Sequence, residues 1–145
     1  MRTYSKILIF AILLAAILAY CFYNNINQDI KTVFNNSGTN KVFVFQVGVF
    51  TKKDNALKLK NKYPSGDIYQ ENNLYHVIIS VTLNNKELLE NYYKARNVNY
   101  IIKEELIDDN KTSKILDYDK IIKSTHNKEV IEKISKASVA LFLEN

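Results

Sequence analysis

Few side chains in this sequence could carry covalent or acid–base chemistry. There are two histidines and one cysteine. His76 lies inside a β-branched, apolar run, and His126 follows Ser124 and Thr125 between two helical patterns, where it reads as a loop residue. No His/Cys/Asp grouping has the spacing of a metal site, no Gly-x-Ser-x-Gly elbow presents a nucleophile, and no glycine-rich loop is placed to cradle phosphate. Glu104–Glu105 and Asp108–Asp109 are adjacent carboxylates near the end of an element. Neighbouring strand positions face opposite ways, so these pairs read as solvated charge rather than as an acid and its conjugate base. The lone Cys21 has no partner for an intramolecular disulfide. The chain is therefore read as a non-enzyme that needs no cofactor and no metal. Its functional residues are sought among hydrogen-bonding and flat side chains that bind without reacting.

The elements that must position such residues begin with residues 7–23 (ILIFAILLAAILAYCFY), an uncharged run preceded by Arg2 and Lys6. At about 1.5 Å per residue it is near the short end of what spans a hydrocarbon core of about 30 Å. Tyr20, Phe22 and Tyr23 suit the far interface, and the leading positive charges place residues 1–6 in the cytoplasm. A cleaved signal peptide and a lipid-modified Cys21 compete with this reading. Ala19-Tyr20-Cys21 is a poor cleavage sequence, and Tyr20 stands where lipidation wants a small residue. Residues 24–41, rich in Asn, Ser, Thr and Gly, read as a polar tether that sets the domain outside the plasma membrane. The net charge of +5 comes from scattered lysines and names no partner; nucleic acid is not expected.

From Val42 the periodicities alternate. Residues 42–49 form a strand pattern bounded by Gly48. Thr51-Lys52-Lys53-Asp54 has the form of a capping box, and Ala56, Leu59 and Tyr63 follow at helical spacing up to Pro64-Ser65-Gly66. Residues 68–70 and 74–81 are strand runs around Asn72-Asn73, a pair that tolerates the positive φ of a tight hairpin turn. Counting outward pairs Glu71 with Leu74, Tyr69 with His76 and Ile68 with Val77. Strict alternation then sends Ile68, Val77, Ile79 and Val81 to a packed face, and Tyr69, His76, Ile78 and Ser80 to the other. Asn84-Asn85-Lys86-Glu87 opens a second helix carrying Leu88, Leu89, Tyr92, Tyr93 and Ala95, and residues 99–106 form a last strand. The order β-α-β-β-α-β predicts an α+β fold, a four-stranded sheet with two helices on one face and an open second face.

Within this order, Phe45-Gln46-Val47-Gly48-Val49-Phe50, followed by Asp54-Asn55-Ala56 and by Tyr75-His76-Val77-Ile78-Ile79, resembles the SPOR (sporulation-related repeat) domain. That family's first strand ends in Gln-x-Gly-small-Phe, and its third carries Tyr-Arg-Val-x-Val. The resemblance covers about residues 41–107. It implies a module that binds peptidoglycan, denuded glycan strands above all, along the open sheet face, in division, sporulation or wall remodelling. Carried over by position, Gln46 would hydrogen-bond sugar hydroxyls and Gly48 would admit the ligand to the backbone. Tyr69 and His76 would present flat surfaces, and Ile78 and Ser80 would complete the floor. The chain departs from the family at His76, where Arg is usual, at Ser80-Val81-Thr82, where Gly-Pro-Phe is usual, and at Val49. A domain of the same fold that has lost its glycan site and serves as a protein-interaction scaffold is the competing reading. The sheet topology is shared with RNA-recognition folds, but the expected placement outside the membrane argues against RNA.

Residues 108–145 lie beyond the resemblance. Ile115, Leu116, Ile121 and Ile122 form one helical stripe, and Val130, Ile131, Ile134, Ala137 and Leu141 a second. Two amphipathic helices are expected, packed on the domain or, alternatively, offering residues 131–142 to a protein partner.

Overall fold

The computed structural model of the chain describes residues 40–144. The expected membrane anchor at residues 7–23 lies outside them, and among the described residues no helix is long and apolar enough to cross a membrane. The fold is α+β. In chain order the elements are β1 (Asn40–Phe50), α1 (Lys53–Lys60), β2 (Asp67–Glu71), β3 (Leu74–Thr82), α2 (Lys86–Lys94), β4 (Ile101–Ile107), α3 (Asp109–Ser124) and α4 (Lys128–Leu143). The strands make one antiparallel sheet in the order β2-β3-β1-β4.

Local sequence explains most joints. Asn72 and Asn73 both take positive φ (50° and 62°), the geometry of a two-residue hairpin turn, and β2 pairs β3 in the register counted from that turn. Asn97 (φ 55°) ends α2: Val98 N–H donates to Tyr93 O while Asn97 N–H donates to Lys94 O, a Schellman closure. The capping box expected at Thr51 does not form. Helix α1 starts one residue later, with Lys52 at the cap position and no side chain capping it. Asn85 likewise caps nothing by its side chain, which donates instead to the Asp119 carbonyl at 2.6 Å.

Two apolar clusters flank the sheet. On one face Phe45 and Ile79 pack with Leu89 and Tyr93 of α2, with Phe43, Val47, Tyr100 and Ile102 around them. On the other, Val42, Val44, Ile78, Val81 and Ile107 pack with Ile115 of α3 and with Val139 and Leu141 of α4. The C-terminal helices thus share the core of the sheet, and the face expected to be open is covered over this half.

Helix α4 does more than lie on that face. β2 pairs β3 only from Leu74 to Ile78, which leaves the flank of β3 from Ile79 to Leu83 without a strand neighbour. Buried backbone groups need partners. The Tyr93 hydroxyl donates to Ile79 O (3.3 Å), Val81 N–H donates to Ser138 Oγ (3.2 Å), and Leu83 and Asn84 N–H donate to Asp119 Oδ2 (2.9 and 2.7 Å). Small residues, Ser135 and Ser138, let α4 approach this edge, and both are fully buried.

Candidate functional site

The six residues singled out from sequence are divided by an irregularity in the sheet. Phe45 stands opposite Ser80, but its neighbour Gln46 stands opposite Ile78, so β3 carries one extra residue there. A bulge of this kind places two consecutive side chains on one face. Ile79 and Ser80 therefore both turn to the α2 face, and Val81 turns to the other. Ser80 is fully buried, its hydroxyl 3.2 Å from Ser135 Oγ, and it cannot be part of a binding floor. Ile78 keeps the expected face but is fully buried beneath the C-terminal helices, so it is core. These two expectations are corrected.

Gly48 also has an internal reason to be glycine. A Cβ there would come within 2.7 Å of Leu59 Cδ2 and 2.8 Å of the Phe50 ring, so the missing side chain admits the chain's own α1. The second irregularity of the β1–β3 ladder, between Gln46 and Gly48, lies at the same place and bends β1 toward that helix.

The other three residues meet. The His76 ring stacks on Tyr69 (centroids 4.8 Å apart, planes 17° from parallel), and its Nδ1 lies 2.9 Å from Gln46 Oε1. With the amide oxygen accepting, Nδ1 donates, and in the neutral ring Nε2 is left as an acceptor. Burial pushes the imidazole below its ordinary range and the nearby Lys103 charge pushes the same way, against the pull of Glu71 and Glu105. The Tyr69 hydroxyl is pushed up to about 12, mainly by burial and then by Glu71 and Glu105, so it is a fixed hydrogen-bond donor. Phe142 lies near-perpendicular to Tyr69, with the ring centroids 6.4 Å apart.

Beyond the stack the face is uncovered. Val49, paired with His76, is 41% exposed and Ile101, paired with Gln46, is 56% exposed. Pairing of β1 with β4 stops at Ile101, and past that point Gln46, Val47, Gly48 and Val49 face Asn99, Tyr100 and Ile101 across a groove of about 280 Å³. That volume is at the small end for ligand pockets. The groove offers free strand-edge backbone, an exposed amide at Asn99 and two exposed apolar side chains, all without a nucleophile. Among the described residues no group of three His, Cys, Asp or Glu could hold a metal ion. Sequence reasoning missed Asn99, Tyr100 and Ile101, because nothing short of the sheet register brings them beside Gln46. Compared with known proteins, the chain matches no protein family, no curated protein and no solved structure.

Proposed function

We propose that this chain is a non-catalytic binding module of the cell envelope, held outside the plasma membrane by residues 7–23, and that its ligand is the glycan strand of peptidoglycan. The reading makes it a SPOR-like domain acting in division, sporulation or wall remodelling. The observation that carries it is the groove at the end of β1: Gly48 and Val49, from the segment that resembles the family motif, line it beside Asn99 and Ile101, with the Gln46 side chain buried against His76 at its border. A polyol chain has hydroxyl edges and apolar CH faces. Amide groups and strand backbone can meet the edges, while Val49 and Ile101 can meet the faces. In this arrangement Gln46, Tyr69 and His76 act as the bonded and stacked group that borders the groove.

A second reading, a protein-interaction scaffold that has lost glycan binding, is favoured by a different observation. Ile78 and Ser80 are committed to the core, and Gln46 and His76 are bonded to each other.

The two are separated by co-sedimentation of the detergent-solubilised full chain with peptidoglycan sacculi, intact and amidase-treated. The glycan reading expects retention on the amidase-treated sacculi, reduced at least about tenfold by Asn99→Ala or Val49→Glu, a loss of about 1.4 kcal/mol or more in binding. Both positions are exposed, so neither substitution should disturb folding. Absence from both sacculi would remove the glycan reading and leave the scaffold.

A further inference from the structure

The sheet ends on β4, whose backbone is hydrogen-bonded along one side only, to β1. An exposed strand edge is a template for another strand unless something blunts it. Three charged residues at its centre, Lys103, Glu104 and Glu105, restrict this edge to a partner of complementary charge. β4 contains no proline, its ladder with β1 runs without a bulge from Asn40↔Ile107 to Gln46↔Ile101, and among the described elements no strand pairs with its outer side. It also carries the two most exposed large apolar side chains described, Leu106 (60%) and Ile101 (56%).

We propose that β4 pairs antiparallel with β4 of a second copy of this chain, about a two-fold axis at Glu104, so that two sheets continue as one. The order of side chains points to a second copy. Reversed on itself about Glu104, the segment Ile-Ile-Lys-Glu-Glu-Leu-Ile sets Ile101 opposite Ile107, Ile102 opposite Leu106, and Lys103 opposite Glu105, each pair occurring twice. Opposed strand residues share a face, so on one face the Lys103–Glu105 pairs are flanked by the Ile101–Ile107 pairs, and on the other the two Glu104 are flanked by the Ile102–Leu106 pairs. The only like charges opposed are the two Glu104 carboxylates, and each arrives already bonded to its own Lys41 at 2.9 Å.

Other registers are worse. Sliding by two residues either way sets Lys103 opposite Lys103 or Glu105 opposite Glu105, and sliding by one turns apolar residues against charge and reverses the faces. The opposite edge of the sheet fails the same test. β2 reversed about Tyr69 would set Asp67 against Glu71 twice, so that edge repels its own copy. Attachment of both copies to one membrane would raise their effective concentration and favour the pair.

The test is cysteine cross-linking in membranes carrying the full chain, with Cys21→Ser as background. In the proposed register residue 104 faces residue 104 of the other copy at a Cα separation of about 5 Å, within disulfide reach, whereas residue 102 lies roughly 14 Å from its own counterpart. Under mild oxidation, Glu104→Cys should form a disulfide dimer at least about tenfold faster than Ile102→Cys or Leu106→Cys, a contrast set by that difference in reach. Lys103→Glu added to Glu104→Cys should suppress the dimer, and adding Glu105→Lys as well should restore it. That recovery distinguishes lost pairing from lost folding. Equal rates at 102, 104 and 106, no dimer at 104, or failure of the double charge reversal to restore it would each overturn the proposal.

Discussion

Single residues carry an unusual share of this small fold. Asp119 is 4% exposed, and its carboxylate accepts from the Thr82 hydroxyl (2.5 Å) and from the backbone N–H groups of Leu83 and Asn84. Replacing it by alanine leaves one buried and two part-buried donors without their acceptor, which should lower stability by about 1–3 kcal/mol in a denaturant titration. His76 gives the domain a pH dependence. Its folded pKa is lowered from the ordinary 6.5, so between the two values the unfolded chain binds more protons than the folded one. The contribution is complete above about pH 6.5 and is lost as pH falls through that value toward the folded pKa. Melting temperatures measured from pH 8 to pH 5 should fall more for the parent chain than for His76→Gln, whose amide does not titrate there. At this scale the sequence was only partly legible. Gln46, Tyr69 and His76 do converge, as alternation along paired strands suggests. Nothing in the types of Asp119 or Gly48 reveals that the first ties down the loop after β3, or that the second makes room for Leu59.

Elements were easier to read than their contacts. The Asn72-Asn73 turn set the hairpin and its register directly, because two consecutive positive-φ residues fit a two-residue hairpin and few other structures. The order of strands and helices followed from changes of period. Alternation failed at the bulge, since an extra residue in β3 leaves no mark on a run of β-branched side chains, and so Ser80 and Val81 exchange faces. The C-terminal stripes announced two helices but not their seat, because the short length of β2 decides which part of β3 is left for α4 to cover. Ser138 on α4 accepts from Val81 N–H across that edge. Ser138→Ala, close in volume, should cost about 1–3 kcal/mol by stranding this N–H, and it should speed hydrogen exchange at the Val81 amide selectively. An unchanged exchange rate there would mean that α4 does not serve as the lateral partner of β3. Tyr92 of α2, whose hydroxyl donates to Glu132 Oε1 at 3.3 Å while Arg96 lies over its ring, ties α4 to the rest of the helical layer.

Across the described domain, the two faces of the sheet have different tasks. One is filled by aromatic and aliphatic side chains of β1, β3 and α2, joined by Ile122 of α3 and Ile131 of α4. The other is shared between a half sealed by α3 and α4 and a half left uncovered at the end of β1, where Gly48 and Val49 border a groove with Asn99 and Ile101. The bond between Gln46 and His76 ties β1 to β3 at the border of that groove. A mostly formed site of this kind binds with little rearrangement of the backbone. The most direct test is a titration of the isotope-labelled full chain with denuded glycan strands, followed by backbone amide NMR. The account predicts progressive shifts confined to residues 46–49 and 99–101, with smaller changes at His76 and Tyr69. Shifts concentrated on α3 and α4, or none at saturating glycan, would contradict it.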